Sequence, residues 1–256
     1  MATFCIAVSA EAPAKKPITH EAMWLMKRVG APAVSPDGKW AVAGVTEPAY
    51  DPKEQVSDLW LIATDGSVAP KRLTFTKSGE SGPAWSHDSR TLAFSAKRDG
   101  DEETQIYVID VVGGGEAQRV TNLSTGARSP QWRPDGKALL YLSSVYPGAA
   151  DDEANKKMAK ERKDRKYNAR VYESFPIRHW DRWLDDKQIG LFVQDADLSA
   201  KPKNLLAGSK LLGTPGFGGS LGNSGEELET AWAPDGKAIV FSATTARNTA
   251  AHSQVA

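Results

Sequence analysis

The chain of 256 residues contains few of the side chains that build metal and redox sites. Its only cysteine is Cys5, which excludes an internal disulfide and a thiolate metal cluster. The four histidines stand far apart, without the paired spacing of metal ligands, at His20, His87, His179 and His252. We therefore expect neither a metal site nor a cofactor.

The sequence also lacks an excess of charge of either sign. Lys and Arg together number 32, as do Asp and Glu, so the formal net charge is zero. Without a net positive field, a protein loses the long-range attraction that draws nucleic acid or an anionic membrane surface. The composition thus predicts neither nucleic acid nor membrane as a partner, and it leaves the oligomeric state open.

Long apolar runs that would span a bilayer are missing as well. A short run near the N-terminus, TFCIAVSAEA, ends in Val8-Ser9-Ala10, the small-residue pattern that precedes signal-peptidase cleavage. No Lys or Arg precedes this run, so a frayed apolar tail is the alternative. The signal-peptide interpretation places the mature N-terminus near Glu11 and the protein in the periplasm or outside the cell.

What the sequence does contain is one short motif that occurs four times. The copies are AVSPDGKWAVAGV, AWSHDSRTLAFSA, QWRPDGKALLYLS and AWAPDGKAIVFSA, centred on Asp37, Asp88, Asp135 and Asp235. Pro-Asp-Gly favours a tight turn, and the apolar stretches on either side favour strands, so each copy predicts a hairpin. The second copy has neither Pro nor Gly in its turn, which we expect to be less sharply defined.

Each of the first three hairpins is followed by two more strand-like stretches. The third strands are predicted over 57–66, 104–114 and 188–197, and short polar fourth strands over 70–74, 117–121 and 202–206. Four antiparallel strands in each repeat of about 40–50 residues are typical of a propeller blade. A β-sandwich is the alternative, but it would not require the same phrase in every unit.

The predicted fold class is therefore all-β. We expect a partial β-propeller of about three and a half four-stranded blades, with a short N-terminal helix and a helical insertion in the third blade. The predicted boundaries are 1–17 for signal peptide and linker, then an incomplete propeller over 18–256 with blades at 31–74, 82–122, 129–206 (insertion 145–186) and 229–256. The last blade has its hairpin but no further strand pattern, which suggests a fragment.

Three tryptophans occupy one position of the repeat, shortly before the turn aspartate. They are Trp85, Trp132 and Trp232, with Val34 in their place in the first copy. A large ring that recurs at equivalent sites is most simply core between adjacent blades, and ligand stacking is the less favoured alternative.

The insertion has two halves of different character. Residues 151–170 carry mixed charge without Pro or Gly, which favours an exposed helix. Residues 171–188 are denser in aromatics and include His179 between Arg178 and Asp181. No serine or cysteine nucleophile is linked to this histidine by a motif, so we favour a packed anchor over a substrate contact.

These features together resemble the N-terminal propeller of bacterial prolyl oligopeptidase family serine peptidases, in the acylaminoacyl-peptidase and dipeptidyl-peptidase-5-like branch. The resemblance lies in the leader helix before the first blade (18–42), the repeats with their IYVID-type strands, and the insertion ending FPIRHWDRWLDDKQIGLFVQD (175–195). It covers residues 18–245. The repeats by themselves are less specific, because TolB-type propellers also have them.

In that family the propeller caps an α/β-hydrolase domain that carries a Ser-Asp-His triad. One string here, GGSLG around Ser220, fits the G-x-S-x-G pattern, but a nucleophile elbow needs a strand before the serine and a helix after it. The preceding residues are rich in Gly and Pro, so we interpret Ser220 as a loop serine. We expect no catalytic, cofactor-binding or metal residue in this chain and assign no substrate-binding residue.

The resemblance implies a non-catalytic part of a serine peptidase that gates and orients peptide substrates for a C-terminal hydrolase domain outside these residues. The alternative is a TolB-like propeller that acts as a protein-binding module. The chain alone is predicted to be inactive as a peptidase.

Overall fold

The structure, a computed structural model, consists of antiparallel sheets, and each sheet is formed by one consecutive stretch of the chain. The described residues are 17–246, apart from 168, 170, 173–176, 180–181, 185–186, 198, 215 and 223–224. The run predicted as a signal peptide lies outside them. Within the described part of the chain, no helix is long and apolar enough to cross a membrane.

The first blade follows a short helix and has its innermost strand in two pieces. Its elements are α1 (His20–Trp24), β1 (Arg28–Val29), β2 (Ala33–Val34), β3 (Trp40–Glu47), β4 (Val56–Ala63) and β5 (Lys71–Arg72). Thr19 caps α1 by accepting the Ala22 N–H. Strand β3 pairs with β1, β2 and β4, and β4 pairs with β5.

The second and third blades each have four strands in sequential order across the sheet. The second comprises β6 (Glu80–Trp85), β7 (Thr91–Ala96), β8 (Gln105–Asp110) and β9 (Gln118–Arg119). The third begins with β10 (Arg128–Trp132) and β11 (Ala138–Val145), and its insertion holds α2 (Asp152–Lys163), β12 (Arg178–His179) and β13 (Arg182–Trp183). It closes with β14 (Gln188–Asp195) and β15 (Lys203–Asn204).

The last part of the described chain forms two hairpins. They are β16 (Ser220–Gly222) with β17 (Gly225–Glu227), and β18 (Glu229–Trp232) with β19 (Ile239–Ser242). The second is the predicted half blade. The first was not predicted, because its glycine-rich sequence lacks the alternation that marks a strand. The predicted fold class, with its helical insertion in the third blade, is confirmed.

The four repeated turns have one geometry, and the expectation for the second copy is wrong. Gly38, Gly136 and Gly236 have φ of 73°, 70° and 68°, and Ser89, in the copy without glycine, has φ of 60°. Ser89 also accepts a hydrogen bond from the Asp37 N–H of the preceding turn (2.9 Å). A link between blades thus accompanies a conformation that L-residues rarely adopt.

The apolar core lies between successive blades. Separate buried clusters fill the first, second and third junctions, and they include Leu59 with Phe94, Ile106 with Tyr141, and Leu191 with Phe217. The repeated tryptophans pack at these junctions, in the position predicted for core.

Two of these tryptophans also bridge the blades through their indole N–H groups. Trp85 Nε1 donates to the Ala33 carbonyl (2.9 Å), and Trp132 Nε1 donates to the Ala84 carbonyl (3.1 Å). Both carbonyls belong to the residue before the equivalent position of the preceding blade. The buried Trp232 Nε1 has no hydrogen-bond partner. The bridge is therefore present at two junctions and missing at the third.

Candidate functional site

One end of the blades carries the long connections between second and third strands. These connections are 48–55, 97–104 and 146–187, and we call the surface they form the loop face. The tight repeated turns lie at the opposite end, because adjacent strands are antiparallel. Large loops on a rigid scaffold are where binding residues concentrate, so we take the loop face as the candidate site.

A polar pocket of about 200 Å³ opens on the loop face between blades 1 and 2. Its lining residues come from β4, β6 and β7 and from their connections, and most of them are polar. The residues that line it are Ser57, Ser78, Gly79, Glu80, Ser81, Ser95, Ala96, Lys97 and Thr104.

Glu80 is the buried acid of this pocket, with 6% of its surface exposed. Its Oε2 accepts a hydrogen bond from Thr74 Oγ1 (2.6 Å), and its Oε1 accepts one from Thr76 Oγ1 (2.7 Å). Burial raises the pKa of the Glu80 carboxyl, and the two threonine hydroxyls offset part of that rise. The hydrogen bonds fix the carboxylate in one position at the start of β6.

A second buried acid, Asp58, lies beside Glu80 and has its own cation. Arg72 Nη2 is 2.6 Å from Asp58 Oδ2, and Asp58 is 2% exposed. Burial raises the pKa of Asp58, and Arg72 opposes that rise. Since Asp58 also raises the pKa of Glu80, the two acids disfavour simultaneous ionisation. The first junction therefore buries two acids, and a nearby cation favours the charged form of each: Arg72 at Asp58 and Arg98 at Glu80.

The helix of the insertion is docked on the loop face, against the connection between blades 2 and 3. Asp152 Oδ1 accepts hydrogen bonds from the Ser124 N–H (2.9 Å) and hydroxyl (2.6 Å). The buried Asn155 accepts the Tyr146 N–H (2.9 Å), and the Arg162 guanidinium lies 4.0 Å from the centre of the Tyr146 ring. These contacts fix α2 on the loop face above the second junction.

The aromatic half of the insertion forms a small hairpin of its own. Tyr172 donates its hydroxyl to the Leu184 carbonyl (3.1 Å), and its ring centre is 6.3 Å from that of Trp183. The Arg178 guanidinium lies 6.0 Å from the centre of the Trp183 ring, which remains 55% exposed. His179 pairs with Arg182 through the backbone of β12 and β13. Asp181 lies outside the described residues.

Near the axis, the innermost strand of blade 3 is linked to the final hairpins. Arg128 Nη2 donates to the Glu226 carbonyl. Gln131 Nε2 donates to the carbonyl (3.0 Å) and hydroxyl (2.8 Å) of Thr230. Burial lowers the pKa of Arg128, while Glu227 and Glu226 oppose the shift. The polar groups at this point serve the junction between blades 3 and 4.

Ser220 does not occupy a nucleophile elbow. It is the first residue of β16 and is paired with Glu227, so its interpretation as a loop serine is wrong. Ser220 begins a hairpin, and the residue after it continues a strand instead of beginning a helix. In the described part of the chain, no group of three or more His, Cys, Asp or Glu side chains is placed to hold a metal ion.

Comparison with known families decides which propeller this is. A family model described as PD40, the TolB β-propeller domain, matches residues 20–165, more than half of the chain. The chain belongs to the PD40 family of β-propeller domains.

Relatives of this PD40 propeller are peptidases. It is 28% identical over 235 residues to the uncharacterized peptidase YuxL of Bacillus subtilis, covering 90% of this chain and 31% of that protein. It is 27% identical to dipeptidyl-peptidase 5 of Porphyromonas endodontalis, covering 88% of this chain and 30% of the relative. The chain thus spans about a third of the length of these relatives. The predicted resemblance to this peptidase group is confirmed.

A solved structure shows the same fold. The acylaminoacyl peptidase of Pyrococcus horikoshii superposes with a TM-score of 0.53 at 14% identity, covering 71% of this chain and 25% of that one. At this identity the similarity concerns the fold alone.

Sequence reasoning did not identify the pocket or its acid. Glu80 stands in the linker-like stretch KSGESGPAW, where nothing distinguishes it from a surface glutamate. Two threonines within six residues, in TFT before SGE, are the one local signal that the carboxylate is held by the chain.

Proposed function

We propose that this chain is the propeller portion of a serine peptidase and that it gates and orients peptide substrates for an α/β-hydrolase domain outside these 256 residues. The observation that carries the proposal is the similarity over about nine-tenths of this chain to proteins named as peptidases. A periplasmic or extracellular location and peptide partners are parts of the same proposal.

The loop face supplies the physical basis for gating. Its insertion is fastened by charged and polar contacts, at Asp152 and Asn155, and presents the exposed Trp183. A substrate that passed along this face would meet a fixed rim of loops, which admits a flexible peptide more readily than a folded protein. Orientation of the peptide then comes from polar groups on a rigid scaffold.

The chain itself is proposed to have no peptidase activity. A Ser nucleophile requires a general base and oxyanion donors in fixed geometry, and Ser220 stands in a strand pair with Glu227 instead of the strand-to-helix turn that presents such a serine. The purified chain should not hydrolyse a chromogenic dipeptide above the buffer rate. Hydrolysis that disappears on Ser220→Ala would overturn this part of the proposal.

The coding DNA after codon 256 provides the second test. A hydrophobic strand, a G-x-S-x-G turn and a helix, in any of the three frames, supports the peptidase. A stop soon after strands that complete the propeller would instead favour a protein-binding module of the TolB type.

A further inference from the structure

The third blade differs from the first two because its connection on the loop face carries a helix. The equivalent connections of the first two blades, 48–55 and 97–104, are eight residues long, whereas 146–187 has 42 residues and contains α2. Two blades thus form without such a helix. Asp152 and Asn155 nonetheless hold α2 in place through hydrogen bonds. A helix that the blade does not require is therefore fixed in one position, with one side turned to solvent.

Positive charge is concentrated in α2 and just after it. Residues 156–166 include seven Lys or Arg and two acidic residues, although the whole chain has a formal net charge of zero. The side of α2 that packs on the blades carries Asn155 and Arg162, and the Arg162 guanidinium lies over the Tyr146 ring. The other basic side chains of α2 are exposed. The solvent-facing side of the helix is therefore strongly basic.

Three of these lysines form a continuous row, which we call the lysine stripe: Lys157, Lys160 and Lys163. Their three-residue spacing places successive Cβ atoms about 5–6 Å apart on neighbouring turns. Lys160 is paired with Asp164, whereas Lys157 and Lys163 form no salt bridge with any described residue. The helix dipole favours basic residues in the last turn of α2, but Lys157 lies outside that turn. The stripe thus presents two ammonium groups that no carboxylate in the described part of the chain neutralises.

The chemistry of α2 restricts which anionic partner fits the stripe. Sites for single-stranded nucleic acid combine cations with aromatic side chains on which bases stack, and α2 has no aromatic residue. A helix that binds a membrane surface inserts an apolar side, but the side of α2 opposite the lysines is packed on the blades through Asn155. A polypeptide with Asp or Glu side chains requires neither feature. An acidic polypeptide is therefore the partner that the helix fits best.

We propose that the lysine stripe binds an extended polypeptide segment with Asp or Glu at alternate positions. In an extended chain alternate side chains lie on the same side, about 6.6 Å apart, which is close to the spacing of the lysines. Each carboxylate then accepts a charge-assisted hydrogen bond from one ammonium. The assignment of this segment to a substrate rests on the proposed function, in which peptides cross the loop face. The stripe gives the peptidase a preference for acidic peptides.

Titration of the 256-residue chain with acetyl-Glu-Ser-Glu-Ser-Glu-Ser-amide tests the binding, with the amide chemical shifts of α2 as the readout. At low ionic strength we expect saturable shifts in the millimolar range, and binding should weaken as salt screens the charges. The matched peptide with Gln in place of Glu should cause no saturable shifts. A peptide with its Glu residues contiguous should bind more weakly, because neighbouring side chains of an extended chain point to opposite sides. No response to the alternating acidic peptide, or an equal response to either control peptide, would overturn the proposal.

Two double variants separate the stripe from the net charge of the chain. Lys157→Gln combined with Lys163→Gln should weaken binding of the alternating peptide about threefold to tenfold, because two exposed ion pairs are lost. Lys137→Gln combined with Lys237→Gln removes the same charge from exposed lysines in the repeated turns at the opposite end, and this variant should bind as the parent chain does. All four side chains are exposed, so we expect both variants to fold. Equal affinities of the two variants would show an effect of net charge alone and contradict the stripe.

Tetrathymidylate, which carries the same negative charge as the acidic peptide, tests whether the stripe is a general anion site. Equal or tighter binding of this oligonucleotide through Lys157 and Lys163 would overturn the assignment to a polypeptide.

The full-length product of the coding region tests the assignment to a substrate. Lys157→Gln combined with Lys163→Gln should lower kcat/KM for a peptide with an alternating acidic segment and leave kcat/KM for its Gln counterpart unchanged. An equal loss for both peptides would contradict substrate binding at the stripe. Because binding to the 256-residue chain requires no hydrolysis, absence of binding overturns the stripe and leaves the gating proposal to its own assay.

Discussion

The indole bridges between blades permit a quantitative test of how the junctions are held together. Trp132 and Trp232 occupy equivalent positions and are both half-buried, but only Trp132 Nε1 has an acceptor, the Ala84 carbonyl at 3.1 Å. Replacement of either by Phe removes a similar ring volume. The difference between the two variants therefore isolates one hydrogen bond across a junction.

We expect Trp132→Phe to lower the free energy of unfolding by about 1 kcal/mol more than Trp232→Phe does, the net value of a buried hydrogen bond. Trp85→Phe, at 9% exposure and with an indole bond of 2.9 Å, should be at least as destabilising as Trp132→Phe. Urea unfolding followed by far-UV circular dichroism measures all three without relying on tryptophan fluorescence. If Trp232→Phe costs as much as Trp132→Phe, the bridges do not stabilise the junctions.

Three further predictions concern the backbone, the buried acid and the insertion. Ser129 has φ of 55°, so Ser129→Gly should raise the free energy of unfolding by about 0.5–1 kcal/mol in urea titrations, and a loss would contradict the strain. Because the pKa of Glu80 is raised in the folded state, its contribution to stability is largest below the unfolded-state pKa and falls as pH rises through the folded-state pKa. The free energy of unfolding of Glu80→Gln should therefore rise relative to that of the parent between acidic and neutral pH. A difference that stays constant with pH would refute this. Asp152→Asn should weaken the hydrogen bonds to Ser124 and speed amide hydrogen exchange in α2. The control Glu153→Gln should have little effect, because the Glu153 side chain is 85% exposed. Equal exchange rates in the two variants would argue against docking through Asp152.

The repeated turns show why much of the fold can be predicted from the sequence. Pro-Asp-Gly fixes a turn locally, and the flanking apolar stretches fix strands, so neither depends on distant residues. The backbone conformation of Ser89 cannot be predicted in this way. Its positive φ accompanies a contact with Asp37, a residue 52 positions away, and no local pattern reports such a contact.

The candidate site is harder to predict for the same reason. Ala96 and Ser143 occupy equivalent positions of blades 2 and 3, but only Ser143 has a hydroxyl, which donates to the Gly126 carbonyl; this difference is visible only when the two junctions are compared. The hairpin after Ser220 is likewise held by backbone pairing with Glu227 that glycine-rich sequence does not reveal. Contacts between residues of different blades are visible in the structure and cannot be predicted from the repeated sequence motif.

The proposed gating role, in which the propeller restricts which substrates reach a peptidase domain, has one direct test. The direct test uses the full-length product of the coding region, with and without residues 18–246, on a chromogenic dipeptide and on a folded protein substrate. We predict that the intact protein cleaves the dipeptide and leaves the folded protein uncut, and that removal of residues 18–246 abolishes this discrimination. Equal cleavage of the folded protein with the propeller in place would contradict the claim.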